Sequence, residues 1–99
     1  WSAHWGGDAY MESFPVMSEA FAAKVAASGI RGVGLDMISV DPVGSTALPI
    51  HHILLGSGKV IIENLANLDQ LPLTPFQFTV LPLALVDADG SSVRAMAEV

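Results

Sequence analysis

Apolar positions along this chain follow a helical spacing in two segments and an extended spacing in four, with glycine, proline and aspartate between them. SEAFAAKVAASG (18–29) predicts a helix. Ser18 suits the N-cap, Glu19 the positive end of the helix dipole, and Gly29 the C′ stop. Phe21 and Val25, four apart, are expected on its buried face. IRGVGLDM (30–37) follows at once as a short buried strand, and a helix leading into such a strand is an α/β signature. ISVDPVGSTALP (38–49) is punctuated by two prolines and Gly44 and predicts a loop. IHHILLGSG (50–58) fits a short helical turn, and KVIIENL (59–65) a β-branched strand. FQFTVLPLALV (76–86) and SVRAMAEV (92–99) predict a closing hairpin, with Asp89-Gly90 as a two-residue turn. Pro82 places the first of these strands at a sheet edge or at a bulge. Residues 1–16, aromatic and glycine-rich without a period, are expected to form an irregular loop.

Composition changes this picture in one respect. A chain of 99 residues suits one domain at most, and such a chain buries about two-thirds of its unfolded surface. Yet 52% of the residues are hydrophobic and only 14% charged, leaving little polar surface to cover the rest. The chain is expected to pack against more protein. Its net charge of −6, with only Lys24, Arg31, Lys59 and Arg94 positive, argues against nucleic acid as a partner. No apolar run approaches the length of about eighteen residues that a membrane helix needs. With no cysteine there is neither a disulfide framework nor a thiolate metal site. The chain opens at Trp1 without an initiator methionine or a signal-like segment, and a removed N-terminus would have taken any targeting segment with it; a cytoplasmic location is the expectation.

The chemistry concentrates in HHILLGSGKVIIENL (51–65). Alternation in the strand sets Ile61 and Glu63 on one side and Val60 and Ile62 on the other. Glu63 is then either a strand-end carboxylate reaching water or a ligand. His51 and His52 point about 100° apart on a helical turn, so only one can face Glu63. A histidine there is commonly a hydrogen-bonded core residue, but imidazole with carboxylate also suits Zn²⁺ or Mn²⁺. Two ligands make half a site, since a catalytic zinc takes about three from protein. His4 stands alone in the first loop. Asp36 and Asp41 read as structural, Asp41 before Pro42 being a natural turn initiator and Ser39 a partner for backbone.

The segments GVGLDMISVDPVGS, LPIHHILLGSGKVIIENLANLDQL and FQFTVLPLALVDADGSSVRAMA resemble the C-terminal half of the cyclase-like metal-dependent hydrolases, the family of the bacterial kynurenine formamidases. The likeness runs from about Arg31 to the end. It rests on G-[LI]-D-x-x-S-x-D-P, H-H-x-x-L-L, I-[IL]-E-[NG]-L, L-P-L and D-G-x-x-V-R-A occurring in order, and WSAHWG is similar to the family's tryptophan-bearing loop. The resemblance implies that His51 and Glu63 bind one ion of a two-metal centre of Zn or Mn, with His52 a neighbour. Trp1 and Trp5 would contact substrate. It also implies a swivelling α/β domain with a mainly antiparallel, barrel-like sheet, and assembly as a homodimer or homotetramer. The activity implied is hydrolysis of a small-molecule amide or related C–N bond, as in kynurenine release during tryptophan catabolism.

The family's H-x-G-T-H-x-D-x-P-x-H motif does not occur in this sequence. Residues 1–99 are therefore expected to be the C-terminal part of one hydrolase domain, to need the N-terminal half as a partner, and to be inactive alone. The competing expectation is a non-catalytic, hydrophobic, β-rich assembly module.

Overall fold

The computed structural model describes residues 1–99, which form two compact units, Trp1–Ala66 and Asn67–Val99. In the first unit, turns of 3-10 helix at Ser2–His4 and Asp8–Met11 replace the expected irregular loop. Helix α1 (Glu19–Ala27), strand β1 (Gly32–Gly34), helix α2 (Pro49–Gly56) and strand β2 (Val60–Ile62) follow. Ser18 caps α1, its Oγ accepting the Phe21 N–H at 3.3 Å. The buried face of α1 is set by Ala22 and Val25; Phe21 is 55% exposed, contrary to expectation. An alanine lets the helices approach closely where a phenylalanine would hold them apart, and α1 packs on α2.

β1 and β2 are parallel, in the register Gly32↔Val60, Val33↔Ile61 and Gly34↔Ile62, with α2 between them in the chain. Gly32 is required here, because a Cβ would lie 2.5 Å from the Val60 carbonyl oxygen. Both strands are shorter than their apolar runs. Pairing nevertheless continues irregularly through Leu35 N–H to Ile62 O (2.9 Å), Leu65 N–H to Leu35 O (3.0 Å) and Asn64 N–H to Met37 O (3.0 Å). Asn64, at φ +58°, breaks the extended run directly after Glu63. Ala22, Val25, Leu35, Val40, Ile50 and Leu54 form the core, with Met17, Val33, Met37, Ile53 and Ile61 packed around them.

The second unit holds a 3-10 turn at Leu68–Gln70 and the antiparallel pair β3 (Gln77–Pro82) and β4 (Val93–Glu98), in register from Gln77↔Glu98 to Pro82↔Val93. Pro82 ends its strand at an edge, as anticipated. The tight Asp89-Gly90 turn does not form: residues 83–92 all lie between the strands. A type I′ turn needs positive φ at both central residues, and neither Asp89 nor Gly90 has it, whereas Asp87 does (φ +53°). Nothing beyond Leu54 is buried, and Leu73, Leu81, Leu83, Leu85 and Val86 are all exposed.

The class is α/β, as expected. The four strands make one parallel and one antiparallel pair, and each has a single neighbour. A barrel requires every strand to be paired on both sides, so these strands do not by themselves close one. No helix is long and apolar enough to cross a membrane.

Leu54 is fully buried at the centre of the first unit. Leu54→Ala is expected to lower unfolding free energy by about 2–5 kcal/mol, read from the urea midpoint of the protein.

Candidate functional site

The start of α2 has no cap of its own. Leu48, in the N-cap position, adopts φ +44° and offers no side-chain acceptor, and Pro49 at the first helical position has no N–H to give. The next two amides are taken by Asp41, nine and ten residues earlier in sequence: Ile50 N–H donates to Oδ1 at 3.0 Å and His51 N–H to Oδ2 at 2.9 Å. The same Oδ2 lies 2.8 Å from His51 Nδ1. Asp41 is wholly buried, and its own N–H is held by Ser39 Oγ at 3.1 Å. Burial alone would raise its carboxyl, but the bonds from the His51 amide and ring and the Ile50 amide outweigh it and hold the group below the usual carboxylate range.

On the other side of the imidazole, His51 Nε2 lies 3.5 Å from Glu63 Oε1. That is too long for a good hydrogen bond, and Oε1 is buried without a partner. Burial pushes the Glu63 carboxyl above its ordinary value, and His51 only partly offsets the push. One imidazole thus stands between two carboxylates, one fully satisfied and one not. His52 is exposed and takes no part.

A second layer holds the backbone beside Glu63. The buried Tyr10 hydroxyl sits 2.7 Å from Asn64 Oδ1 and 3.0 Å from the Asp36 carbonyl oxygen. Burial first, then the charges of Asp36 and Glu63, keep this phenol protonated well into the alkaline range. Trp1 Nε1–H donates to the Tyr10 carbonyl at 2.9 Å, while Asp36 Oδ2 accepts from Ser2 N–H at 2.8 Å. The aromatic loop is therefore tied to the residue that follows Glu63. Trp5 stacks edge-on against Tyr10, with ring centroids 5.0 Å apart, and remains 68% exposed.

The structure brings His51 and Glu63 together, separates His52 from them, and leaves His4 against Trp1. Asp36 accepts the Ser2 N–H in the aromatic loop. Asp41 does more than start a turn, which sequence spacing did not disclose. Its one signal is an aspartate upstream of a helix whose own N-cap position carries leucine. No three His, Asp or Glu side chains of this chain gather as a metal cluster, because Asp41 and Glu63 address opposite edges of the ring.

No protein-family model matches the chain. It is 39% identical over 95 residues to the kynurenine formamidase of Bacillus cereus (strain ATCC 14579), and 41% identical over 86 residues to that of Geobacillus thermodenitrificans. These alignments take in 96% and 87% of this chain but 45% and 41% of the relatives, so the chain spans less than half the length of the curated relatives it matches. Among solved structures it is similar to a potential metal-dependent hydrolase with cyclase activity. The TM-score is 0.71 at 30% identity, over 85% of this chain and 41% of that one.

The raised Glu63 carboxyl has a consequence for stability. A native state that holds its proton above the ordinary glutamate value binds more protons than the unfolded state there, so stability falls as pH rises through that window. With metal chelated, Glu63→Gln is expected to be more stable than the wild type at about pH 8, and the gain should vanish towards about pH 4.5. Urea titrations at the two pH values measure it. A pH-independent difference would contradict the burial cost.

Proposed function

Because this chain belongs to the cyclase-like family of metal-dependent hydrolases that includes the kynurenine formamidases, we propose that it carries part of the divalent-metal site of an enzyme that hydrolyses an amide or related C–N bond. The observation that supports this most is the buried, partnerless Glu63 Oε1 facing His51 Nε2 at 3.5 Å. A buried carboxylate oxygen without a partner costs stability, and a bound cation would supply that partner. At 3.5 Å the imidazole nitrogen and the carboxylate oxygen are close enough that both would hold one ion. Imidazole nitrogen with carboxylate oxygen suits Zn or Mn.

His51 and Glu63 are the chain's contribution. The remaining donors, and a second ion, would come from the rest of the protein, the N-terminal half that the family resemblance implies. Residues 1–99 alone are then inactive, since two donors do not complete a coordination shell. A bound ion would supply Lewis acidity for the carbonyl and for water. Glu63 brings negative charge to that ion, and His51 a neutral nitrogen donor. The loop of Trp1 and Trp5, fastened through Tyr10 next to Glu63, offers aromatic faces to a flat aryl substrate. With formylkynurenine, water would add its oxygen to the formyl carbon and the C–N bond would break, giving formate and kynurenine.

The exposed apolar strands β3 and β4 suit a place in a larger, mainly antiparallel barrel-like sheet, and in a homodimer or homotetramer of a cytoplasmic enzyme. A purely non-catalytic assembly module would account for that surface, but it leaves Glu63 unexplained.

In the intact protein, Glu63→Gln is expected to lower turnover of formylkynurenine at least about 100-fold without loss of folding, and His51→Ala to lower bound metal by about one ion per subunit. His52→Ala should retain both. Activity assays across a metal titration, with metal content by mass spectrometry, decide it. Wild-type turnover by Glu63→Gln at metal concentrations that barely saturate the wild type removes Glu63 from the site.

A further inference from the structure

We infer that Asp41 is a positioning residue for His51: its buried carboxylate holds the imidazole as the Nδ1–H tautomer and keeps the Nε2 lone pair free on the Glu63 side. Asp41 makes three contacts and only two of them belong to the helix. The Ile50 and His51 amides suffice to cap α2 (3.0 and 2.9 Å), and they leave the 2.8 Å contact to Nδ1 unaccounted for by helix formation. An ionised carboxylate has no proton to give, so the proton in that contact must sit on Nδ1. The other tautomer would set a nitrogen lone pair against a carboxylate lone pair at 2.8 Å, inside a wholly buried site with no water to relieve it.

Nothing else on the ring competes. At 3.5 Å from Glu63 Oε1, Nε2 makes no strong hydrogen bond that could select a tautomer from its own side. The choice therefore rests with Asp41. Capping ties the two functions together, because the amide and the ring of one residue, His51, meet the same Oδ2. The ring orientation is thereby referred to the start of α2 and not to the rotamer preference of an exposed side chain. Outer partners of this kind set the tautomer and aim of ligating histidines, and their loss commonly lowers metal affinity by about 10–100-fold. The tautomer follows from contacts within the chain; its value for binding an ion rests on the function proposed above.

The experiment uses the intact, metal-free protein labelled with ¹⁵N-histidine, observed by NMR at about pH 8. His51 is expected as Nδ1–H with an unprotonated Nε2. Asp41→Asn keeps one carbonyl acceptor for the helix but presents an N–H₂ that can face Nδ1. It should shift His51 towards Nε2–H and weaken zinc binding about 10–100-fold by competition titration. A purely structural Asp41 would leave the tautomer unchanged in the folded variant, and that result overturns the inference. So does an Nε2–H His51 in the wild type, which decides the matter even if Asp41→Asn does not fold. A wild type in the Nδ1–H form that binds no zinc would sink the metal site while upholding the Asp41–His51 pairing.

Discussion

The first unit depends on how one buried carboxylate is satisfied. Asp41 is fully removed from water, a position that costs several kcal/mol for an unpaired charge. Two backbone N–H groups at 2.9–3.0 Å and the His51 ring nitrogen at 2.8 Å offset the cost, all from the first turn of α2. The loop 38–48 is therefore anchored to the helix it precedes. The neighbouring Val40 and Ile50 are buried in the core by the same closure. Helix start, loop path and imidazole orientation are consequences of a single cluster of bonds.

Glu63 is the counterpart. Two carboxylates flank one imidazole, and their surroundings drive them in opposite directions: hydrogen bonds hold Asp41 below the usual carboxylate range, while burial, only partly offset by His51 and the Val40 amide, raises Glu63. A strand end that served only to meet water would not hide an oxygen. The backbone there is closely controlled. Left-handed Asn64 turns the chain, its N–H is taken by Met37 O, and its side chain meets the buried Tyr10 hydroxyl. Rigid support around an unsatisfied group is what a ligand-binding site requires.

The second unit behaves differently. A two-stranded ribbon without buried residues is marginal in water, and its apolar side chains lie in the open. A chain spanning 45% and 41% of its formamidase relatives' lengths would leave such surface for the remainder of the protein to cover.

Local signals determined a good deal unaided. Ser18 caps α1, the glycines after Leu55 end α2, and the β-branched run marks β2. The 100° step between adjacent helical residues already separated His51 from His52, and the structure turns His51 to Glu63. Those features arise within a few residues, where propensity and periodicity act. Tertiary structure decided the rest. Whether Phe21 or Ala22 faced the core depended on how closely α2 approaches α1, and the length of the 83–92 connection on backbone angles that Asp-Gly permits but does not compel. Asp41 looked like a turn residue because its partners, nine and ten positions away, are main-chain amides, which every residue but proline carries and no motif can display. The exposed or buried state of Glu63 was likewise open until β2, α2 and Val40 had packed around it. Spacing along a chain encodes direction, but burial and hydrogen-bond satisfaction belong to the assembled core.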